Sequence, residues 1–448
     1  MSRARKRRTV SRAAAWLLAA CLSPGPAGAD APGPWKNAPD TFELANGVRC
    51  IYQEDAASPT TVVGLVIGGG RAAVPAGLDG LAAVSTRLLL EIPDERKVQD
   101  LMAQATRLSF LCLEDCSVVL VECLTENLEA ALKVAAKIIL DPLVSGQRVD
   151  RARDLMEANG RAEEDDAVKA GRQAAFRAFF GQSGYGTSLY GTKRSLESVD
   201  RKTVLGFLHR YLVRANVFFC VQSDLGKDAV RQRLEAAFKS FPDGEAAGLP
   251  LQDPALPPDR EIVLERDAKQ TYVGRAFALP RTGLGDMAKG ILLETLLGQG
   301  PGSRLWPLRS DERLAYGVDA ELTWTRSGGV LVARLETGRD KGARAAEALD
   351  RTLAALGEAG VTDEELEAAK AVTRACFLRD TEAKTPRLRQ LALYGALGLG
   401  PEAAAGLLEA VRTVTREEFC AFVRQALDPA RALRITVGPA GPSGPQGL

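Results

Sequence analysis

Two segments, SVDRKTVLGFLHRYL (198–212) and TVTREEFCAFVRQAL (413–427), share valine, arginine, phenylalanine and leucine at matching places 215 residues apart. Each runs into a short apolar stretch, VFFCVQ or LRITV, that reads as a strand. A match at so long a period implies two copies of one domain and excludes a solenoid, whose repeats are several-fold shorter. With 448 residues, 46% of them hydrophobic, the chain can bury two substantial cores. Between the copies lies FPDGEAAGLPLQDPALPPDR (241–260), whose five prolines suit neither a helix nor a central strand, so it reads as the linker. The expected domains are therefore 36–240 and 261–437, with a glycine- and proline-rich tail at 438–448 expected to be disordered.

The order of elements inside the copies is α+β. The first copy offers strands at Thr41–Tyr52 and Thr61–Gly68, a helix near Leu78–Glu91 and a strand pair across Ser109–Leu124. Helices follow over Asn127–Leu140 and Arg148–Asp165. Strands come as neighbouring pairs with helices after them, which argues against an alternating parallel sheet. In the second copy Thr362 with Glu365, and Thr415 with Glu418, match the capping-box spacing that starts a helix.

The first 29 residues read as an export signal. Arg3, Arg5, Lys6, Arg7, Arg8 and Arg12 precede the apolar run Ala13–Leu22, which is too short to span a bilayer. Leu18-Ala19-Ala20-Cys21 has the form of a lipoprotein box with Cys21 as the acylated residue, whereas Ala27-Gly28-Ala29 fits an ordinary cleavage site. Either exit predicts a mature protein in the bacterial periplasm, with a lipid anchor if Cys21 is used. Removing the six basic residues leaves 52 basic against 57 acidic side chains, a net charge of −5, and nothing in that balance favours nucleic acid. The eight cysteines lie mostly in apolar runs and read as small buried hydrophobes, although an exported chain also permits disulfides. Cys112 and Cys116 lack a second Cys or His cluster to complete four metal ligands.

The stretch GQGPGSRLWPLRSDERLAYGVDAEL (298–322) reads as a turn, a short helix and a strand. Gly298, Gly300 and Gly302 permit sharp backbone, Ser303 can cap the next turn, and Pro307 keeps that turn short. Alternation over Leu314, Tyr316, Val318, Ala320 and Leu322 reads as a strand with one apolar face. Arg309 then sits on the short helix and Tyr316 at the strand's start. Spacing alone leaves open whether Tyr316 packs in the core and Arg309 is merely solvated.

Together with ELANGVRCIYQED (43–55), GGGRAAVPAGLDGLAAVSTRLLLE (68–91) and SGYGTSLYGTKRSLESV (183–199), this stretch resembles the M16 (pitrilysin or insulinase) peptidases over about residues 40–437. The resemblance implies two helix-and-sheet rolls facing each other around a chamber. Active members carry H-x-x-E-H, two histidines one helical turn apart holding zinc and a glutamate acting as base. Laid on GLAAVSTRL, those positions fall on Ala83, Thr86 and Arg87, and Glu157 is the candidate for the third ligand. Methyl, hydroxyl and guanidinium groups cannot bind zinc, and the chain has a single histidine, His209, so no cofactor is expected here and zinc is expected in a partner subunit. The resemblance implies an M16 subunit that is inactive alone and pairs with a zinc-bearing homologue. Arg309 and Tyr316 would then reach a peptide substrate at the partner's zinc. A structural or peptide-binding protein without proteolysis is the alternative. A cysteine or serine hydrolase is disfavoured because His209 has no partner motif.

Overall fold

The run TTVVGLVIG is rich in β-branched residues, whose stiff side chains suit a pleated surface better than a helix. It forms a central strand of the first of two sheets in the computed structural model, which describes residues 35–439 apart from Pro93, Pro250 and Thr282. The expectations for residues 1–29, Cys21 included, and for the tail from 440 onward lie outside the described residues.

In chain order the first half contains β1 (Asp40–Glu43), β2 (Arg49–Glu54), β3 (Thr60–Gly68), α1 (Leu81–Leu88), α2 (Glu95–Ala103), β4 (Arg107–Cys112) and β5 (Cys116–Leu124). It continues with α3 (Leu128–Leu140), α4 (Gly146–Asp165), α5 (Ala167–Phe180), α6 (Lys193–Glu197), α7 (Arg201–Tyr211), β6 (Val217–Ser223) and α8 (Lys227–Phe238). Residues 241–260 hold neither helix nor strand among the described residues. The second half contains β7 (Glu261–Glu265), β8 (Gln270–Leu279), α9 (Leu284–Gly298), α10 (Trp306–Ser310), β9 (Gly317–Thr325) and β10 (Gly328–Gly338). It ends with α11 (Gly342–Ala359), α12 (Asp363–Asp380), α13 (Lys384–Ala396), α14 (Ala403–Thr413), α15 (Arg416–Ala426) and β11 (Leu433–Gly438).

The fold is α+β, two related helix-and-sheet rolls. One sheet runs β1-β2-β6-β3-β5-β4 and the other β7-β11-β8-β10-β9. They match strand for strand from β2 onward, including the parallel pairs β2 with β6 and β7 with β11. Among the described residues only the counterpart of β1 is missing. The repeated segments are α7 and α15, which bury Val204, Leu208 and Tyr211 in one copy and Phe419, Val423 and Ala426 at the same places in the other. Both capping boxes form, with Thr362 and Thr415 accepting from the backbone of Glu365 and Glu418. The single strand expected over Thr41–Tyr52 is instead the hairpin β1–β2. Asn46-Gly47 turns the chain there, with Gly47 at φ 82° and Leu44 and Val48 bonded across the turn. Helix α1 is shorter than expected because Gly80, at φ 89°, delays its start.

Successive residues of β3 face different cores. Val63, Leu65 and Ile67 pack on helices of their own half, whereas Val62 and Val66 meet α13 from the other half. Helix α5 does the converse, setting Phe176, Phe179 and Phe180 against Tyr272, Ala276, Val332 and Ile435 of the second sheet. Each phenylalanine removed from water there contributes roughly 2–3 kcal/mol. Glycines make these crossings close. A Cβ on Gly64 would lie 2.7 Å from Leu388 Cδ2, and one on Gly171 would lie 2.5 Å from Tyr272 Cε1. The two halves are thus interlocked by exchanged helices. All seven cysteines among the described residues are unpaired, and five of them are buried.

Candidate functional site

Ala83, Thr86 and Arg87 lie on α1, and none is free to take a metal ion. Ala83 is fully buried and offers only a methyl group, and the Thr86 hydroxyl donates back to the Ala82 carbonyl at 2.7 Å. Arg87 Nη1 contacts Glu91 Oε1 at 2.8 Å, and Arg148 Nη1 approaches the other oxygen, Glu91 Oε2, at 3.6 Å. Glu157, on α4, is paired with Arg161 one turn later on its own helix. Among the described residues no three His, Cys, Asp or Glu side chains group so as to hold a metal ion. These residues do not fit zinc: an arginine engaged with a carboxylate stands where an imidazole would be needed. The Glu91 partner, missed in the sequence, was signalled by its i+4 spacing from Arg87. His209 is exposed on α7.

Beside α1 runs a cleft of about 870 Å³, walled by Leu90, Ile92, Leu101, Met102 and Phe110, with Arg87, Glu91 and Arg107 as its charged lining. One side of it is β4, the last strand of its sheet. Met102 of α2 is 72% exposed at its rim.

Arg309 and Tyr316 belong to neighbouring elements of the second half. Leu308 anchors α10 in the core while Arg309 stays exposed, its guanidinium 4.8 Å from the centre of the Trp306 ring. Tyr316 is 65% exposed, and its N–H donates to the Glu336 carbonyl at 2.8 Å. It does not pack in the core. The strand begins at Gly317, three residues after the start of the expected alternation at Leu314, because Arg313 takes a left-handed conformation at φ 52° and Leu314 and Ala315 both turn inward. Of the three glycines upstream, Gly300 alone has positive φ, at 77°; Gly298 is required because a Cβ would lie 2.2 Å from the Ala320 nitrogen. Ser303 does not cap α10, whose N-cap is Leu305, but Pro307 does occupy its first turn.

Between the halves lies a part-buried polar junction that the sequence did not reveal. Arg172 on α5 donates to Glu114 at 2.7 Å in its own half and forms an ion pair with Glu321 of β9 at 3.0 Å in the other. Burial pulls the neighbouring Arg71 guanidinium down to about 10, and it lies 4.7 Å over the Phe176 ring. Burial alone would raise Glu114, but Arg172 and Arg71 outweigh it and hold its carboxyl below the usual range. Asp115 lacks such a partner, and burial pushes it up to about 7 despite bonds from the Tyr185 hydroxyl and the Arg326 N–H. Glu294 on α9 is raised likewise to about 7 by burial, while accepting from the Leu322 N–H at 2.9 Å.

Comparison with known proteins fits this picture. Residues 198–373 match the family model described as the peptidase M16 inactive domain. Over those residues the chain is similar to the M16 peptidase family. The chain is 20% identical over 353 residues to the uncharacterized zinc protease YmxG of Bacillus subtilis, covering 78% of this chain and 85% of that one. It is 23% identical over 385 residues to the protein named non-peptidase homolog YmxG in Helicobacter pylori, covering 84% and 88%. In fold it is similar to the crystal structure of a peptidase M16 inactive domain from Pseudomonas fluorescens, with a TM-score of 0.81 at 20% identity over 90% of this chain and 98% of that one.

Proposed function

We propose that this chain is the non-catalytic subunit of an exported heteromeric zinc peptidase, supplying Arg309 and Tyr316 to a site whose zinc is held by a homologous partner. The observation that carries this reading is the contrast between the two places. The positions that would hold zinc are closed by a methyl, a self-bonded hydroxyl and a paired guanidinium, whereas Arg309 and Tyr316 present their polar ends to solvent from buried anchors. A guanidinium and a phenol are suited to hydrogen-bond a peptide carbonyl or the oxyanion that develops on it. The Helicobacter relative's name, a non-peptidase homolog, agrees with a chain that does no chemistry alone.

The test is steady-state cleavage of a fluorogenic peptide by this chain co-expressed with a zinc-bearing homologue. Arg309→Lys keeps the charge and loses the planar fork, and Tyr316→Phe keeps the ring and loses the hydroxyl. Loss of one donor to a developing oxyanion costs about 3 kcal/mol, so each variant is expected to cleave roughly a hundredfold more slowly, with assembly on size exclusion unchanged. Full activity in both variants would instead favour the second reading, a peptide-binding protein without proteolysis, for which the open cleft beside β4 is the supporting observation.

A further inference from the structure

The indole of Trp324, on β9, is flanked by two glycines and carries an unused donor. A Cβ on Gly290 of α9 would lie 2.8 Å from Trp324 Cζ2, and one on Gly329 of β10 would lie 2.8 Å from Cζ3, so both positions are cleared for the ring. Its Nε1–H is buried and has no hydrogen-bond partner among the described residues. A buried indole N–H is ordinarily paired, because it gives up water on folding and recovers nothing without an acceptor. Trp324 borders a cavity of about 310 Å³ between α9 and α15, walled in part by Leu279, Pro280 and Phe422. This cavity lies on the face of the second sheet that α9 covers. The preceding residue, Thr323, faces the opposite way, as alternation along a strand requires, and accepts from Arg172 of α5 at 3.1 Å.

Four charged side chains line the cavity, and three of them are already engaged. Lys289 pairs with Asp286 at 2.5 Å. Glu418 accepts from the Thr415 N–H at 3.0 Å and from its hydroxyl at 2.9 Å, which closes the cap of α15. Arg431, exposed in the turn that follows α15, makes no ion pair or side-chain hydrogen bond among the described residues. The cavity thus offers a donor at its buried end, an apolar body and an unpaired cation at its rim.

We propose that this cavity binds a small phenolic carboxylate, its ring against Trp324 and Phe422, its phenol oxygen accepting from Trp324 Nε1–H and its carboxylate on Arg431. The site is separate from the proteolytic reading and does not depend on it, since neither Arg309 nor Tyr316 lines the cavity. The volume, at the lower end of small-molecule sites, holds one ring and a short arm, and not a stretch of several peptide residues. Aromatic walls favour a flat body, which can pack offset or edge-on against them. A guanidinium with all its donors free matches a carboxylate in a bidentate fork. An aliphatic acid would satisfy Arg431 and leave the indole N–H unpaired, and a neutral phenol would do the reverse. A phenolic acid satisfies both.

Isothermal titration calorimetry of the purified full chain tests this with three probes: 4-hydroxyphenylacetate, phenylacetate, which lacks the phenol oxygen, and 4-hydroxyphenylethanol, which lacks the carboxylate. The first is expected to bind with a dissociation constant of roughly 0.1–1 mM, the range open to so small a ligand, and each of the others roughly tenfold more weakly. Arg431→Gln should bring 4-hydroxyphenylacetate down to the alcohol's affinity and leave the alcohol unchanged. The position is exposed, so the fold is not at stake in that variant. Trp324→Phe should erase the difference between 4-hydroxyphenylacetate and phenylacetate. Should that variant fail to fold, the same two ligands on the wild-type chain still decide the role of the indole, since equal affinity there would remove it. Equal affinity of 4-hydroxyphenylacetate for the wild-type chain and Arg431→Gln would place the carboxylate elsewhere and overturn the assignment. Absence of saturable heat from all three ligands up to about 10 mM would refute the site altogether.

Discussion

Asparagine in place of Asp115 should make the protein gain stability relative to wild type as pH rises. Asp115 sits in the turn between β4 and β5, 1% exposed, and joins Tyr185 to the backbone of Arg326 in the β9–β10 turn. Burial raises its carboxyl from 3.8 to about 7 in the folded chain. A folded pKa above the unfolded one means that its contribution is fully present below about pH 4 and is lost as pH rises through about 7. The shift corresponds to roughly 4 kcal/mol, of which roughly 3 kcal/mol falls between about pH 4.5 and about pH 8. Glu294 titrates in the same sense, and Asp55 and Glu114, held low, in the opposite one, so the wild-type curve alone cannot isolate Asp115. The difference between wild type and Asp115→Asn can. Urea unfolding of both proteins across that range should show the variant near parity in acid and ahead by roughly 3 kcal/mol in mild base. A difference that stays flat with pH would refute the argument that this carboxylate is buried without adequate compensation.

The purified chain, dialysed against zinc and then buffer, should retain far less than one metal ion per molecule by elemental analysis, because Arg87 and Glu91 occupy each other; about one tightly held zinc per chain would sink this. Gly171→Ala should lower stability by about 1–3 kcal/mol in thermal or urea melts, since its Cβ meets the buried Tyr272 ring at 2.5 Å. Gly206→Ala, in open space on α7, serves as the control and should be neutral or stabilising.

Much of the scaffold was legible because it is written locally. The repeat over α7 and α15, the capping boxes at Thr362 and Thr415, and the apolar runs of β3 and β5 each carry their own signal, and each formed. What escaped was relational. The phenylalanines of α5 announce an apolar face but not which sheet it covers, and no periodicity distinguishes a helix that stays home from one that crosses. Asn46-Gly47 was a hairpin signal lost inside a run that otherwise read as one strand. The degenerate zinc positions were legible as residue types, and their reading was chemical: alanine, threonine and arginine need no coordinates to be ruled out as ligands. That Glu91 holds Arg87, and that Tyr316 stands out from the surface while Leu314 and Ala315 turn in, depended on local backbone, including a left-handed Arg313 that few sequences would advertise. Asp115 and Glu294 were invisible, since a lone acid in a turn or on a helix is ordinarily solvated.

The crossing of α5 and α13 bears on how this chain comes to exist at all. A half made alone would leave Val62, Val66, Val118 and Phe218 bare on one sheet and three phenylalanines of α5 with nothing to lie on. Two separate halves would hide those surfaces only by meeting, at a rate and yield set by their concentration. The segment 241–260 ties the exchange into one molecule, so each half finds the other at an effective concentration on the order of millimolar however dilute the protein is. Dilution therefore costs this assembly nothing, whereas it would dismantle a pair joined only by contact.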